Sequence, residues 1–220
     1  MRTVFAALKF LSPNLQAEEE NYLGLHVSLA KALPGLRSYI TGKLIGSKNH
    51  PAPYYRAATL TFDDAPAMRS AMRDSPVAKP LVDDGAAHIE LQRWVQVDTE
   101  IIVPLDAQPG ASLMMMVAEF DLKLNDGDYA AAEDRYLNQH THIARRLPGL
   151  RHYMIGGVVS KGGVQPQLPR MAFLVFDNAE AGRDAYRSPV GQELMRDEEA
   201  TIANARVYRL DATVQTQLRV

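Results

Sequence analysis

The sequence predicts an α+β fold made of two tandem copies of one β-α-β-β-α-β module. Three observations predict it. LPGLR stands at 33–37 and again, letter for letter, at 147–151. Sliding the chain on itself by 114 makes 21 of 52 positions in Tyr22–Arg73 identical to those of Tyr136–Arg187, without a gap. That is the mark of an internal duplication. Finally, strand-like and helix-like hydrophobic periods follow one another in the same order in both halves.

Val4, Ala6, Leu8 and Phe10 alternate with other residues as in a half-buried strand, and Ala118, Phe120, Leu122 and Leu124 repeat the pattern. The second copy lies in mid-chain, and Lys9 interrupts the first, so the opening stretch reads as a strand and not as a secretion signal. A helix is predicted near 17–32 and 131–146. Tyr22, His26, Leu29 and Leu33 share one of its faces, as do Tyr136, His140, Ile143 and Leu147. Carboxylates at 18–20 and 133–134 suit the positive helix N-terminus, and Pro34-Gly35 and Pro148-Gly149 end the helix. SYITGKLIG and HYMIGGVVS are second strands, and RAATLTF and RMAFLVF third strands; the loop between them is glycine- and lysine-rich in the second copy. Asp63-Asp64 and Asp177-Asn178 supply caps for a second helix. IELQRWVQV and ARVYRL close the two halves.

This order is that of the split βαβ, ferredoxin-like unit. Residues 98–112, with two prolines and a glycine, read as a connector, which sets modules at 1–103 and 112–220. The unit leaves one sheet face bare, and that face has to be buried. The expectation is two modules packed sheet to sheet as an intramolecular pseudo-dimer, a dimeric α/β barrel, with further homodimerisation as an alternative.

Composition removes several classes of function. Net charge is −2 and the pI about 6.3, so no basic excess draws the chain to nucleic acid. No cysteine is present, which excludes disulfides, thiol nucleophiles and cysteine–zinc sites. No run approaches the ~18–20 apolar residues of a membrane span; a soluble, cytoplasmic protein is expected. LIGSKNH (44–50) lacks P-loop spacing, GGVVSKGG (156–163) is not a dinucleotide fingerprint, and GxSxG is absent.

The segment EDRYLNQHTHIARRLPGLRHY (133–153) resembles the EthD family, named for a protein of ethyl tert-butyl ether degradation. The family's helix carries an aromatic residue, then Leu, a His three positions on, and an LPGL-type turn leading to Tyr. FDNAEAGRDAYRSPVGQEL (176–194) is similar to its second-helix segment, and 21–40 matches more loosely. The family often has Trp where this chain has Tyr22 and Tyr136. The resemblance implies a dimeric α/β barrel with a small-molecule pocket in each half, between the sheet and its helices. Its superfamily includes muconolactone isomerases, polyketide cyclases, quinone-forming monooxygenases and haem-degrading enzymes.

His26 and His140 are the leading site candidates, because an imidazole gives and takes protons near neutral pH. A histidine that fills core space and bonds a backbone carbonyl is the competing reading. Tyr39 and Tyr153 are candidates to assist a substrate oxygen, against simple packing of the ring. Tyr22, Tyr136, Arg56, Arg170 and Glu119 are candidates for substrate contact; for the arginines, a structural ion pair with Asp63 or Asp177 is the alternative. Arg69, Arg73, Arg183 and Arg187 read as a solvated helix face, and Trp94 as packing. His140 and His142 diverge by about 200° on a helix, so no metal site is expected. The function predicted is a cofactor-independent enzyme acting on a small aromatic or carbonyl compound by histidine-mediated proton transfer, of cyclase, isomerase, dehydratase or lyase type. The alternatives are a non-catalytic carrier or accessory protein of a degradation pathway, and a haem- or oxygen-using monooxygenase.

Overall fold

The computed structural model describes residues 1–46, 51–124, 126–160 and 166–217. Residues 47–50 of LIGSKNH, and 161–165 of the glycine- and lysine-rich loop, lie outside the described residues. The first half runs β1 (Arg2–Phe10), α1 (Leu15–Asn21), a π-helical turn Tyr22–His26, α2 (Val27–Lys31), β2 (Leu36–Leu44), β3 (Arg56–Phe62), α3 (Ala65–Arg69), a second π-helical turn Ser70–Asp74, α4 (Ala78–His88) and β4 (Ile89–Val103). The second half runs β5 (Ser112–Leu122), α5 (Tyr129–Arg135), a π-helical turn Tyr136–His140, α6 (Thr141–Ala144), β6 (Leu150–Val158), β7 (Arg170–Phe176), α7 (Ala179–Arg187), α8 (Pro189–Thr201) and β8 (Ile202–Gln217). The order β-α-β-β-α-β thus occurs twice. The hydrogen-bonded strand order is β1-β3-β2-β8-β5-β7-β6-β4, a closed barrel.

The described residues group into two compact units. One comprises those within Met1–Val97, Ala107–Ala111 and Ala212–Val220, the other those within Asp98–Asp106 and Ser112–Asp211. In the first unit β3 pairs antiparallel with β1 (Val4↔Leu60) and with β2 (Tyr39↔Leu60, Thr41↔Ala58). In the second, β7 pairs with β5 (Met116↔Leu174) and β6 (Tyr153↔Leu174) in the same register.

Local chemistry explains the element ends. The side chains of Asn14, Asp64, Asp128 and Asn178 each accept a bond from a first-turn backbone N–H, and Ser188 caps α8 ahead of Pro189. Gly35 and Gly149 take φ of 70° and 71°, the left-handed conformation that the LPGL turn demands.

Strand alternation decides which side chains face the helices. On β1, Val4, Leu8 and Phe10 join Tyr22, Val27, Ala30 and Leu33 in one core; Tyr39, Ala58, Leu60 and Phe62 complete it from β2 and β3. The second core repeats this with Met116, Phe120 and Leu122 against Tyr136, Ile143 and Leu147.

Three expectations need correction. Residues 98–103 are not connector: they continue β4, because Val95, Val97 and Thr99 are buried on one face and keep the strand period of two. The leading helix is interrupted in each half by a π-helical turn that spans the tyrosine–histidine pair. And helix α4, together with α8 beyond Leu194, occupies a stretch to which no element was assigned.

Candidate functional site

In the first unit, the Tyr22–His26 π-turn puts the two rings on the same side of the helix. They stack with centroids 5.0 Å apart and planes 21° apart. His26 Nδ1 lies 2.7 Å from Oδ2 of Asp84, which projects from α4. Asp84 also accepts from Asn21 Nδ2 at 3.1 Å. Burial lowers the pKa of His26, and the hydrogen bond and charge of Asp84 oppose that shift.

The Tyr22 ring fills the space beneath the helix. Its hydroxyl meets Thr41 Oγ1 at 3.0 Å and the Tyr39 hydroxyl at 3.4 Å. Thr41 in turn bonds to the carbonyl of Ala57. Tyr39 is fully buried, and desolvation, followed by the neighbouring Tyr22, pushes its phenol well above its ordinary pKa. It is a protonated donor at neutral pH. The Arg56 guanidinium lies 4.7 Å over the Tyr22 ring and pairs with Glu19 at 2.5 Å.

The second unit repeats the chain of contacts. Tyr136 and His140 stack at 5.4 Å and 21°. His140 Nδ1 is 2.8 Å from Asp197 Oδ2 on α8. Burial again lowers the imidazole pKa against the pull of Asp197. Arg170 lies 5.0 Å over Tyr136 and bonds Glu133 at 2.5 Å. One link is missing. The residue corresponding to Thr41 is Ile155, and the buried Tyr136 hydroxyl lies near Tyr153 without a partner in hydrogen-bond geometry among the described residues.

The structure therefore brings together Tyr22, His26, Tyr39 and Arg56 in one unit, and Tyr136, His140, Tyr153 and Arg170 in the other. Glu119 is fully buried but stands on the opposite face of β5 from Phe120, the residue that packs on Tyr136. The expected alternative for the arginines is corrected: Asp63 pairs with Arg37 and Asp177 with Arg151, while Glu19 and Glu133 hold Arg56 and Arg170. For the competing reading of the histidines only the partner differs: their Nδ1 atoms meet carboxylates and not backbone carbonyls. His152 is the histidine that bonds a backbone carbonyl, that of Val103 at 2.7 Å. His142 is exposed, and among the described residues no three His, Asp or Glu side chains are grouped to hold a metal ion.

Sequence reading missed Asp84, Asp197, Glu19, Glu133 and Thr41. A signal existed for four of them. Glu19 and Glu133 are 114 apart, and Asp84 and Asp197 correspond once the second copy is shifted by the single residue that RDSPV and RSPVG already require.

Several solved structures are similar over almost the whole chain. A candidate monooxygenase from Fusobacterium nucleatum subsp. nucleatum matches with a TM-score of 0.70 at 10% identity, covering 98% of this chain and 94% of that one. A candidate monooxygenase from Lactobacillus acidophilus gives 0.65 at 15%, covering 98% and 95%. An anthrone oxidase-like protein gives 0.60 at 13%, covering 100% and 96%. At such identities the likeness shows the fold alone, that of the dimeric α/β barrel class. No family model and no curated protein matches the chain. Among the described residues no helix is long and apolar enough to cross a membrane.

Proposed function

We propose that this chain is a small-molecule enzyme of EthD-like type, built from two copies of a ferredoxin-like module (1–103 and 112–220), in which an aspartate-held histidine moves a proton. One observation carries the reading: in both units a histidine Nδ1 is held by a carboxylate, at 2.7 Å from Asp84 and 2.8 Å from Asp197. A carboxylate on Nδ1 keeps the proton there and leaves Nε2 as the basic atom. It also stabilises the imidazolium that forms when Nε2 takes a proton. Burial lowers the imidazole pKa, so the neutral, basic form is the one present at neutral pH.

The substrate is a small aromatic or carbonyl compound with a removable proton, and the reaction is an isomerisation, cyclisation, dehydration or lyase cleavage without a cofactor. Tyr39 and Tyr153 supply protonated phenols to the developing oxygen charge. Arg56 and Arg170 each keep a buried Nε without a partner among the described residues, a donor suited to a substrate oxygen. Tyr22 and Tyr136 offer ring faces, and Glu119 a separate contact in the second half.

Solvent deuterium uptake tests the reading. The full chain is incubated in D2O with a panel of aryl ketones, β-keto acids and phenols, and carbon-bound deuterium is followed by NMR. Uptake that disappears when both histidines are replaced by Asn is expected. Binding of panel compounds with no uptake at any pH would instead make the protein a carrier. Oxygen consumption accompanying uptake would favour an oxygenase of the kind the structural neighbours are named for.

A further inference from the structure

The two histidine–aspartate pairs are copies, yet their surroundings have diverged at several positions around the carboxylate. In the first unit Asp84 accepts from His26 and from the neutral amide of Asn21. In the second, Asp197 accepts from four side chains: His140 at 2.8 Å, Gln139 at 2.7 Å, Arg135 at 3.2 Å and Thr201 at 3.2 Å. The extra donors stand where the first copy has Asn21, Leu25 and His88. His88 is itself turned aside, held by Glu18 at 2.9 Å.

A carboxylate stabilises an imidazolium in proportion to the negative charge it still has to offer. Arg135 takes up the charge of Asp197 and adds its own positive charge beside His140. Both effects work against the protonated state that a general base must reach in mid-reaction. Among the described residues no guanidinium bonds Asp84; the titratable groups facing His26 are Asp84, His88 and the stacked Tyr22.

Access differs in the same direction. The side chain of His26 is 17% exposed and that of His140 7%. Next to Asp84 comes Gly85, where a side-chain carbon would stand 3.8 Å from His26 Cε1. The corresponding residue after Asp197 is Glu198. The ring that His26 stacks on is also the better anchored, because Tyr22 has Thr41 as a partner and Tyr136 has Ile155 in its place.

We propose that the first unit alone is the working site, with His26 as the catalytic base and Asp84 as its positioning residue, and that His140 has become a structural tie between the leading helix and α8. This rests on the proton-transfer reading given above. The test compares His26→Asn with His140→Asn in the full chain, since Asn keeps a donor at the place of Nδ1 and deletes Nε2. Thermal melts verify that each variant folds. Using the panel compound that exchanges fastest with the unaltered chain, His26→Asn should slow deuterium uptake by about 100-fold or more, and the slowing by His140→Asn should be smaller by at least about tenfold. Equal losses, or the larger loss at His140, overturn the assignment and leave the proton-transfer reading standing. Loss at neither histidine sinks that reading as well. A second measurement needs no substrate. In NMR titrations of the histidine Cε1–H signals, assigned with the same two variants, His26 should titrate at higher pH than His140. Arg135→Met should move His140 upward and leave His26 in place. The reverse order of titration overturns the proposal even if no panel compound exchanges.

Discussion

Removing one hydroxyl from each unit should have opposite effects on stability. In Tyr22→Phe the lost oxygen is bonded to Thr41 at 3.0 Å and is the neighbour of the Tyr39 hydroxyl at 3.4 Å. The lost bond to Thr41 costs about 1 kcal/mol, and withdrawing one of the two hydroxyl neighbours of the fully buried Tyr39 adds about 1 kcal/mol. In Tyr136→Phe the lost oxygen is buried and, among the described residues, has no partner in hydrogen-bond geometry. Deleting it removes a desolvated polar atom, so the change should be neutral or stabilising by about 1 kcal/mol. The two variants should thus differ by about 2–3 kcal/mol, which for a chain of this size is a melting-temperature gap on the order of 4–12 °C. Urea denaturation followed by circular dichroism measures it directly, provided the slope is the same in all three proteins. Equal destabilisation by the two substitutions would refute the reasoning, since it would mean that the Tyr136 hydroxyl has a partner as good as Thr41.

Two further outcomes follow from burial. The pKa of His152 is pushed down to about 4, by burial first and in spite of its bond to the Val103 carbonyl. The unfolded chain therefore takes up this proton near pH 6.5 while the folded chain resists until about pH 4, so stability is lost as pH falls through that window, by up to about 3 kcal/mol. In His152→Gln the urea midpoint should fall less steeply between pH 6.5 and 4; an unchanged slope would rule out the assignment. Gly191 lies where α7 meets α8, and a Cβ there would come within 2.3 Å of the Ala185 carbonyl oxygen and 2.5 Å of the Tyr186 backbone. Backbone cannot yield as a side chain can, so Gly191→Ala should cost about 3 kcal/mol or more. Gly24→Ala, which meets nothing within 4 Å, should instead leave the urea midpoint unchanged or raise it.

How much was legible depended on the range of the signal. Strands and turns are written locally. The alternation of Val4, Leu8 and Phe10, the capping Asp64 and Asn178, and the LPGL turns all lie within a few residues of the structure they specify. The π-turns were not legible, because Tyr22 and His26 stand four apart whether the helix is α or π, and the one extra residue per turn leaves no compositional mark. Helices α4 and α8 were hidden for another reason. AKPLVDDGAAH contains a proline and a glycine, features that weigh against a helix when read locally, and only contact with the rest of the unit settles the matter. With those helices unread, Asp84 and Asp197 had no place in space, and the partner of each histidine could not be found. Arg56 was hidden for the same reason: the sequence offered Asp63 nearby, while the real partner, Glu19, comes from a helix 37 positions back.

The duplication supplies an internal comparison that separates packing from chemistry. Five positions keep their residue type and contacts in both units: Glu19, Arg56, Tyr22, His26 and Asp84, against Glu133, Arg170, Tyr136, His140 and Asp197. Around them much has changed, including Phe10 to Leu124, Thr41 to Ile155 and Lys43 to Gly157. A linked set that ties the leading helix to the sheet on one side and to α4 or α8 on the other has reason to persist for stability alone. Stability, however, needs only Nδ1 of the histidine and the charge of the aspartate. Among the described residues it is satisfied better by Asp197, with four donors, than by Asp84, with two. If packing were the whole requirement, both carboxylates would be expected to gather donors. That Asp84 has not done so, and that its histidine stays the more exposed of the two, is why Nε2 of His26 is the atom on which a functional assignment turns.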